Sequence, residues 1–404
     1  MISVMPGYLK DTQNQREEVR HMSDKRVIRT KVGKWGGIEV SRLGFGAMRL
    51  PLTEDRKIDR DKASRLIDRA IEGGVNYFDT AYNYHNEESE LFLGEALGAY
   101  PRNEFYLATK LPLSRVTAED QVSVIFEEQL KKLKTDYIDL YMLHGMNSGR
   151  MDLLKQLKLA EKLLRLKEKG LIRNMGFSYH GFGEVFQELI DMGVWDFAQI
   201  QINYLDYKMI DAKALYDTLL AADIPCVCME PVRGGYLANP PDEARAVLDS
   251  FGGPAITPAG WCFRWCMSMP NIAVTLSGMT TMEQLEENLD TFNAPRVLTP
   301  DAWETLDKVA GIIANTKAVP CTECRYCMEC PSGVDIPEIF RIYNIYKLFK
   351  SPHRVVEDFG ALDRAGKNAD KCVKCGVCAP KCPQYIDIPG NLEEVYGILK
   401  EVRV

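Results

Sequence analysis

No run of about eighteen apolar residues occurs in this chain, so no segment is built to cross a membrane as a helix. The first stretch, Met1–Lys25, lacks the apolar core of a secretory signal. It is polar and charged and reads as a tail (1–25), with Met22 a candidate start. Basic charge is not in excess. Lys and Arg number 50 against 57 Asp and Glu, a net charge of −7, which argues against nucleic acid or another polyanion as partner. Also missing is the third glycine of a Gly-x-Gly-x-x-Gly turn after Leu43-Gly44-Phe45-Gly46, and no acidic ribose partner is placed. That counts against a Rossmann sheet, the alternative α/β reading.

What is present is a globular composition, 46% hydrophobic and 26% charged, in 404 residues, which is long for one core and predicts two domains. From Arg26 to Ala310, short apolar runs alternate with amphipathic helical patterns. The strand-like runs are Leu43–Ala47, Val75–Phe78, Phe105–Ala108, Tyr137–Leu143, Ile172–Phe177, Phe197–Ile202, Ile224–Met229 and Ile272–Leu276. Between them lie helical stretches such as Asp61–Glu72, Glu88–Ala99, Ala118–Leu133, Met151–Lys169 and Met282–Asn288. Eight strands with intervening helices predict an α/β fold, a (β/α)8 TIM barrel over residues 26–312. Ahead of it, Val27–Val40 reads as a hairpin turning at Gly36-Gly37 and plugging the barrel's bottom. Composition shifts after Gly311, and Asn315–Pro320 reads as a linker.

Cysteine dominates the remainder, 313–404. One run is Cys321-x2-Cys324-x2-Cys327-x2-Cys330-Pro331, and the other is Cys372-x2-Cys375-x2-Cys378-x3-Cys382-Pro383. Two such runs, each ending before a proline, are the ligand pattern of two [4Fe–4S] clusters, with the fourth cysteine of a run reaching across to the other cluster. Cys321, Cys324, Cys327 and Cys382 are therefore expected to hold one cluster, and Cys372, Cys375, Cys378 and Cys330 the other. The first run has one residue fewer before its last cysteine, which makes the exchange there less regular. Zinc also takes thiolate fours, but it favours two separated Cys-x-x-Cys pairs. Between the runs, Ile336–Phe349 is helical by pattern, giving a small α-helical ferredoxin-like domain. Such clusters imply a reducing, anaerobic cytoplasm. Cys226, Cys228, Cys262 and Cys266 lie in apolar runs and read as buried inert thiols.

Active sites of such barrels lie at the C-terminal ends of the strands. Strand two ends Phe78-Asp79, with Tyr84 five residues on; strand three ends Thr109-Lys110; strand four ends Leu143-His144. Four ionisable groups at one mouth are hard to read as chance. Here the sequence resembles the aldo-keto reductases, in a subgroup carrying a C-terminal two-cluster ferredoxin-like domain. The resemblance implies Tyr84 as proton donor, Lys110 as the cation that eases its ionisation, Asp79 as partner of Lys110, and His144 as the group orienting the substrate oxygen. It further implies nicotinamide contacts from Ser178, Gln199 and Met229, phosphate contacts from Arg233 and Gly234, and adenosine contacts from Gly278, Gln284 and Asn288. The family places Asn where Tyr179 stands and an aromatic where Met229 stands. Members that bind NADP carry a cation in the adenosine loop. Leu276–Thr291 has none, so NADP preference is not expected.

The function this implies is an NAD(P)H-dependent oxidoreductase that reduces a small-molecule carbonyl or oxidises an alcohol. The alternative is a ferredoxin-linked or flavin-bridged enzyme in which the clusters feed the barrel, with a redox protein such as ferredoxin as partner. A third, non-enzymatic reading is a nicotinamide-binding redox sensor. Retention of all four tetrad residues argues against it.

Overall fold

A computed structural model describes residues 26–402 apart from 181–182, 184, 210–211, 253–254, 317 and 350–351; the 1–25 tail lies outside the described residues. Among the described residues, ten strands form two sheets. Strands β1 (Arg29–Val32) and β2 (Ile38–Ser41) make an antiparallel hairpin. Its connection is a 3-10 turn at Gly33–Trp35 followed by Gly36 and Gly37, whose φ values of 75° and 74° lie in the left-handed region open to glycine.

The other eight strands close into a parallel (β/α)8 barrel, as expected. They are β3 (Leu43–Gly46), β4 (Tyr77–Asp79), β5 (Tyr106–Leu111), β6 (Ile138–Met146), β7 (Ile172–Tyr179), β8 (Phe197–Gln201), β9 (Cys226–Met229) and β10 (Ile272–Ser277). Each hydrogen-bonds to its neighbour in sequence, and β10 pairs with β3 to complete the circle. Helices cover the outside of such a barrel, so its strands read as continuous apolar runs rather than alternating ones.

The chain forms two compact units. Of the described residues, the first comprises 26–142, 159–176 and 273–296, and the second 143–158, 177–272 and 297–402. The division runs through β6 and β7, so the cysteine-rich stretch shares a unit with β8 and β9.

In the first unit, helix Arg60–Glu72 starts at Asp59, whose side chain accepts from the Lys62 amide, and buries Ala63, Leu66, Ile67 and Ala70 at helical spacing. Helix Ser89–Ala96 packs so closely on Gln121–Leu133 that a Cβ on Gly94 would lie 2.8 Å from the Leu133 Cα. At the start of β6, buried Asp139 takes Arg102 at 2.6 Å, Arg173 at 3.0 Å and the Leu107 amide at 3.0 Å, tying β5, β6 and β7 at their N-terminal side. The hairpin joins β4 at the same end. Asn76 accepts from the Ser41 amide at 2.7 Å, and Trp35 stacks 6.5 Å from Tyr77.

In the second unit, the stretch expected as one helix, Met151–Lys169, opens as Ser148–Gln156, and a separate helix Leu159–Glu168 follows in the first unit. Lys158 between them has φ 48°, a left-handed step that ends the first helix. The helix expected over Ile336–Phe349 has those bounds. It sits in its own apolar core with Val334, Phe359, Ile388, Leu392, Val395 and Leu399. Cys226, Cys228, Cys262 and Cys266 are buried, and burial raises the Cys226, Cys228 and Cys262 thiols far above their ordinary range. No helix among the described residues is long and apolar enough to cross a membrane.

Candidate active site and cluster sites

Successive neighbours β4, β5 and β6 carry Asp79, Lys110 and His144 at or near their C-terminal ends. In the first unit, Lys110 is 1% exposed and Asp79 2%. The Lys110 Nζ donates to Asp79 Oδ1 at 2.7 Å and to the Thr80 carbonyl at 2.6 Å, and lies 4.9 Å from the centre of the Tyr84 ring. Burial pushes the Lys110 ammonium down and the Asp79 carboxyl up, and their mutual attraction opposes both shifts. Asp79 Oδ2 is buried without a hydrogen-bond partner.

Two supports for this cluster leave no mark in the sequence. Glu90, fully buried, accepts from Thr109 Oγ1 and from Gln129 Nε2, each at 2.6 Å; Gln129 also donates to the Lys110 carbonyl at 3.0 Å and accepts from the Tyr141 hydroxyl at 2.7 Å. This network clamps the main chain on either side of the Lys110 side chain. Beyond Tyr84, three successive non-glycine residues, His85, Asn86 and Glu87, have φ of 50°, 54° and 73°. Strain of this kind gathers where a side chain must be aimed. No glycine marks the turn, so nothing in the sequence announces it.

The second unit holds His144 and most of the expected nucleotide contacts. Ser178 Oγ accepts from the Gly145 amide at 2.7 Å. Gln199 Nε2 lies 3.6 Å from the Met229 sulfur, while Gln199 Oε1 is buried with no hydrogen-bond partner. That open acceptor suits the N–H of a carboxamide, so these residues fit a nicotinamide. Arg233 lies 3.1 Å from fully buried Asp206, and Gly234 has φ 66° in the loop after β9. Back in the first unit, Gly278 lies against the Arg49 stem, where an added Cβ would come within 3.0 Å. The Gln284 side chain completes a capping box with Thr281, and Asn288 donates to Ser277 at 2.9 Å.

The eight cysteines fall into two groups, both in the second unit. Cys321, Cys324, Cys327 and Cys382 line one cavity of about 320 Å³, part of it open to solvent. Cys330, Cys372, Cys375 and Cys378 line another of about 320 Å³. The last cysteine of each run has crossed to the other run's cavity. Among the described residues no three Cys, His, Asp or Glu side chains gather as a single metal ion requires. Four thiols around a cavity suit a cubane.

Contacts from this segment reach the strand ends of the same unit. Tyr326, between two cysteines of the first group, places its hydroxyl 3.3 Å from His144 Nε2, with the rings edge to face. Gln384 exchanges hydrogen bonds with Gln201 at 2.7 and 3.0 Å, and the Tyr385 hydroxyl donates to the His180 carbonyl at 2.9 Å.

Comparison with known proteins agrees with this architecture. Residues 42–310 match the aldo/keto reductase family, and the chain belongs to it. Residues 320–386 match a 4Fe-4S dicluster domain. The chain is similar to the uncharacterized oxidoreductase YqkF of Bacillus subtilis, 27% identical over 69% of this chain and 94% of the relative. It is similar also to L-galactose dehydrogenase of Arabidopsis thaliana, 26% identical over 70% of this chain and 93% of the relative. Among solved structures, aldo-keto reductase AKR11C1 from Bacillus halodurans in its holo form superposes with a TM-score of 0.60 at 24% identity, over 70% of this chain and 96% of that one. The protein is thus an aldo-keto reductase-type oxidoreductase joined to an iron–sulfur domain.

The grouping of thiols has a direct consequence. Anaerobically purified protein is expected to contain about eight iron and about eight sulfide per chain, and Cys330→Ser is expected to disturb the cluster of Cys372, Cys375 and Cys378 while sparing the other. Metal analysis and electron paramagnetic resonance of the reduced protein check this. Zinc in place of iron, or damage confined to the cluster of Cys321, Cys324 and Cys327, would contradict it.

Proposed function

We propose that this protein reduces a small-molecule carbonyl compound to an alcohol, with Tyr84 as general acid, Lys110 and Asp79 supporting it, and His144 orienting the substrate oxygen. In this reading residues 26–312 form the catalytic barrel, and 313–404 hold two [4Fe–4S] clusters on the two cysteine quartets, in the cytoplasm of an anaerobe. The observation that carries it is the buried lysine under Tyr84. A buried ion pair seldom gains stability over apolar side chains of similar size, so its place at a strand end calls for a chemical reason. A phenol with its ordinary pKa of about 10 gives up a proton poorly at neutral pH. The ammonium of Lys110, held by Asp79 and the Thr80 carbonyl, favours the tyrosinate that remains once Tyr84 has released its proton.

A nicotinamide, when bound, supplies the hydride to the carbonyl carbon. Tyr84 delivers the balancing proton to the oxygen. Ser178 and Gln199 would hold the carboxamide, Met229 would lie where the family has an aromatic ring, Arg233 and Gly234 would cover the phosphates, and Gly278, Gln284 and Asn288 would receive the adenosine. The loop from Leu276 to Thr291 has no cation, which favours NADH over NADPH.

A second reading is favoured by the contact between Tyr326 and His144. It brings a cluster-bearing loop to a site residue, as expected if the clusters exchange electrons with the active site. Cys375 is exposed and Val373 beside it is 70% exposed, so the quartet at Cys372 to Cys378 is the one open to a carrier such as ferredoxin. In that case a low-potential donor drives turnover with no nicotinamide present, whereas strict nicotinamide dependence rules this reading out. One-electron carriers need a bridge to hydride chemistry, and no comparison supports a flavin, so the first reading is preferred.

Tyr84→Phe removes the proton donor and little else. Carbonyl reduction is expected to fall by ~10²–10⁴-fold while nicotinamide binding stays within a few-fold, measured by steady-state kinetics and fluorescence titration under nitrogen. Wild-type turnover in that variant would refute the assignment.

A further inference from the structure

Arg150 lies in the first turn of helix Ser148–Gln156, directly after β6. Asn147 caps this helix, its Oδ1 accepting from the Arg150 amide at 3.1 Å. The side chain turns back over the strand end, where Nη1 donates to the His144 carbonyl at 2.8 Å and to the Gly145 carbonyl. Gly145 makes the room. Its φ is 67°, and a Cβ there would stand 2.7 Å from Arg150 Nη1. The backbone at this strand end is therefore shaped to admit a guanidinium beside the residue expected to hold the substrate oxygen.

The charge of that guanidinium is not answered. Arg102 and Arg173 share Asp139, Arg69 has Glu286, and Arg233 has Asp206. Among the described residues no carboxylate pairs with Arg150, and its side-chain hydrogen bonds to the two carbonyls both leave from Nη1. Burial disfavours its charged form, and the neighbours acting against this are the phenols of Tyr326 and Tyr385, both from the cysteine-rich segment. A half-buried cation with donors to spare beside a strand end is placed to meet an anion.

Resting on the carbonyl-reductase reading, we propose that Arg150 binds a carboxylate on the substrate, so that the compound reduced beside His144 is an oxo acid and the product a hydroxy acid. The carboxylate stays unchanged. Hydride goes to the carbonyl carbon, the Tyr84 proton to its oxygen, and the nicotinamide leaves oxidised. The open edge of the guanidinium offers two parallel donors of the kind that match a carboxylate, a geometry that lysine lacks. Tyr326 and Tyr385 would wall this position, which gives the cluster-bearing segment a part in choosing the substrate.

The alternative is that Arg150 merely staples the main chain at the end of β6. The test uses the NADH-loaded holoenzyme with glyoxylate, pyruvate, acetoacetate and 2-oxoglutarate, each compared with its methyl ester, for binding by anaerobic calorimetry and for turnover. At least one acid is expected to bind about 10- to 100-fold more tightly than its ester, the range of a charge-assisted contact. Arg150→Met should remove that preference, and Arg150→Lys should restore part of it. Equal affinity of acid and ester in the wild type overturns the proposal, as does equal weakening of both in Arg150→Met. If acids bind with an Arg150-dependent preference but no NADH is oxidised, the anion site stands and the reductase reading fails.

Discussion

Lys110 is the buried charge around which the ends of β4 and β5 are arranged. Removing an ammonium from water is costly, and the cost is offset here by a carboxylate at 2.7 Å, a main-chain carbonyl at 2.6 Å and the face of Tyr84. Each of these partners imposes a constraint. Asp79 must end β4 in register with β5, which the pairing of Asp79 with Ala108 achieves. Thr80 must direct its carbonyl at the amine, and Glu90 with Gln129 must hold the chain on either side of Lys110. Losing one partner of such a buried pair typically costs about 3–5 kcal/mol, so the site and the local fold stand or fall together.

The cysteine-rich segment adds a second set of constraints. Because the last cysteine of each run lines the other run's cavity, the two runs cannot move independently once clusters are bound. The same loops hold Tyr326 against His144, Gln384 against Gln201 and Tyr385 against the His180 carbonyl. Cluster assembly and the surroundings of His144 are therefore linked through a few hydrogen bonds of ordinary length.

Much of this was legible in the sequence, for identifiable reasons. Eight apolar runs became eight strands because strands buried on both faces are apolar throughout. The grouping of the cysteines followed from the placement of Cys330 and Cys382 before prolines. Strand ends were less legible: β5 runs to Leu111 and β6 to Met146, past Lys110 and His144, since burial there outweighs polarity. Nothing in the sequence announced the Glu90–Gln129 network, the left-handed run at His85–Glu87 or the contact of Tyr326 with His144. The last joins residues 182 positions apart, and local pattern carries no information at that range. Arg150 stands just before the helical stretch expected from Met151, and only the fold shows which way it turns.

If the proposed carbonyl reduction depends on the cluster-bearing segment through the contact of Tyr326 with His144, removing iron should abolish it. The most direct measurement compares NADH-dependent carbonyl reduction in native protein with that in protein stripped of iron by an anaerobic chelator, with circular dichroism reporting on the barrel. The account predicts that the stripped protein keeps its barrel signal, loses most of its activity, and regains it when iron and sulfide are restored. Full activity in iron-free protein would contradict it.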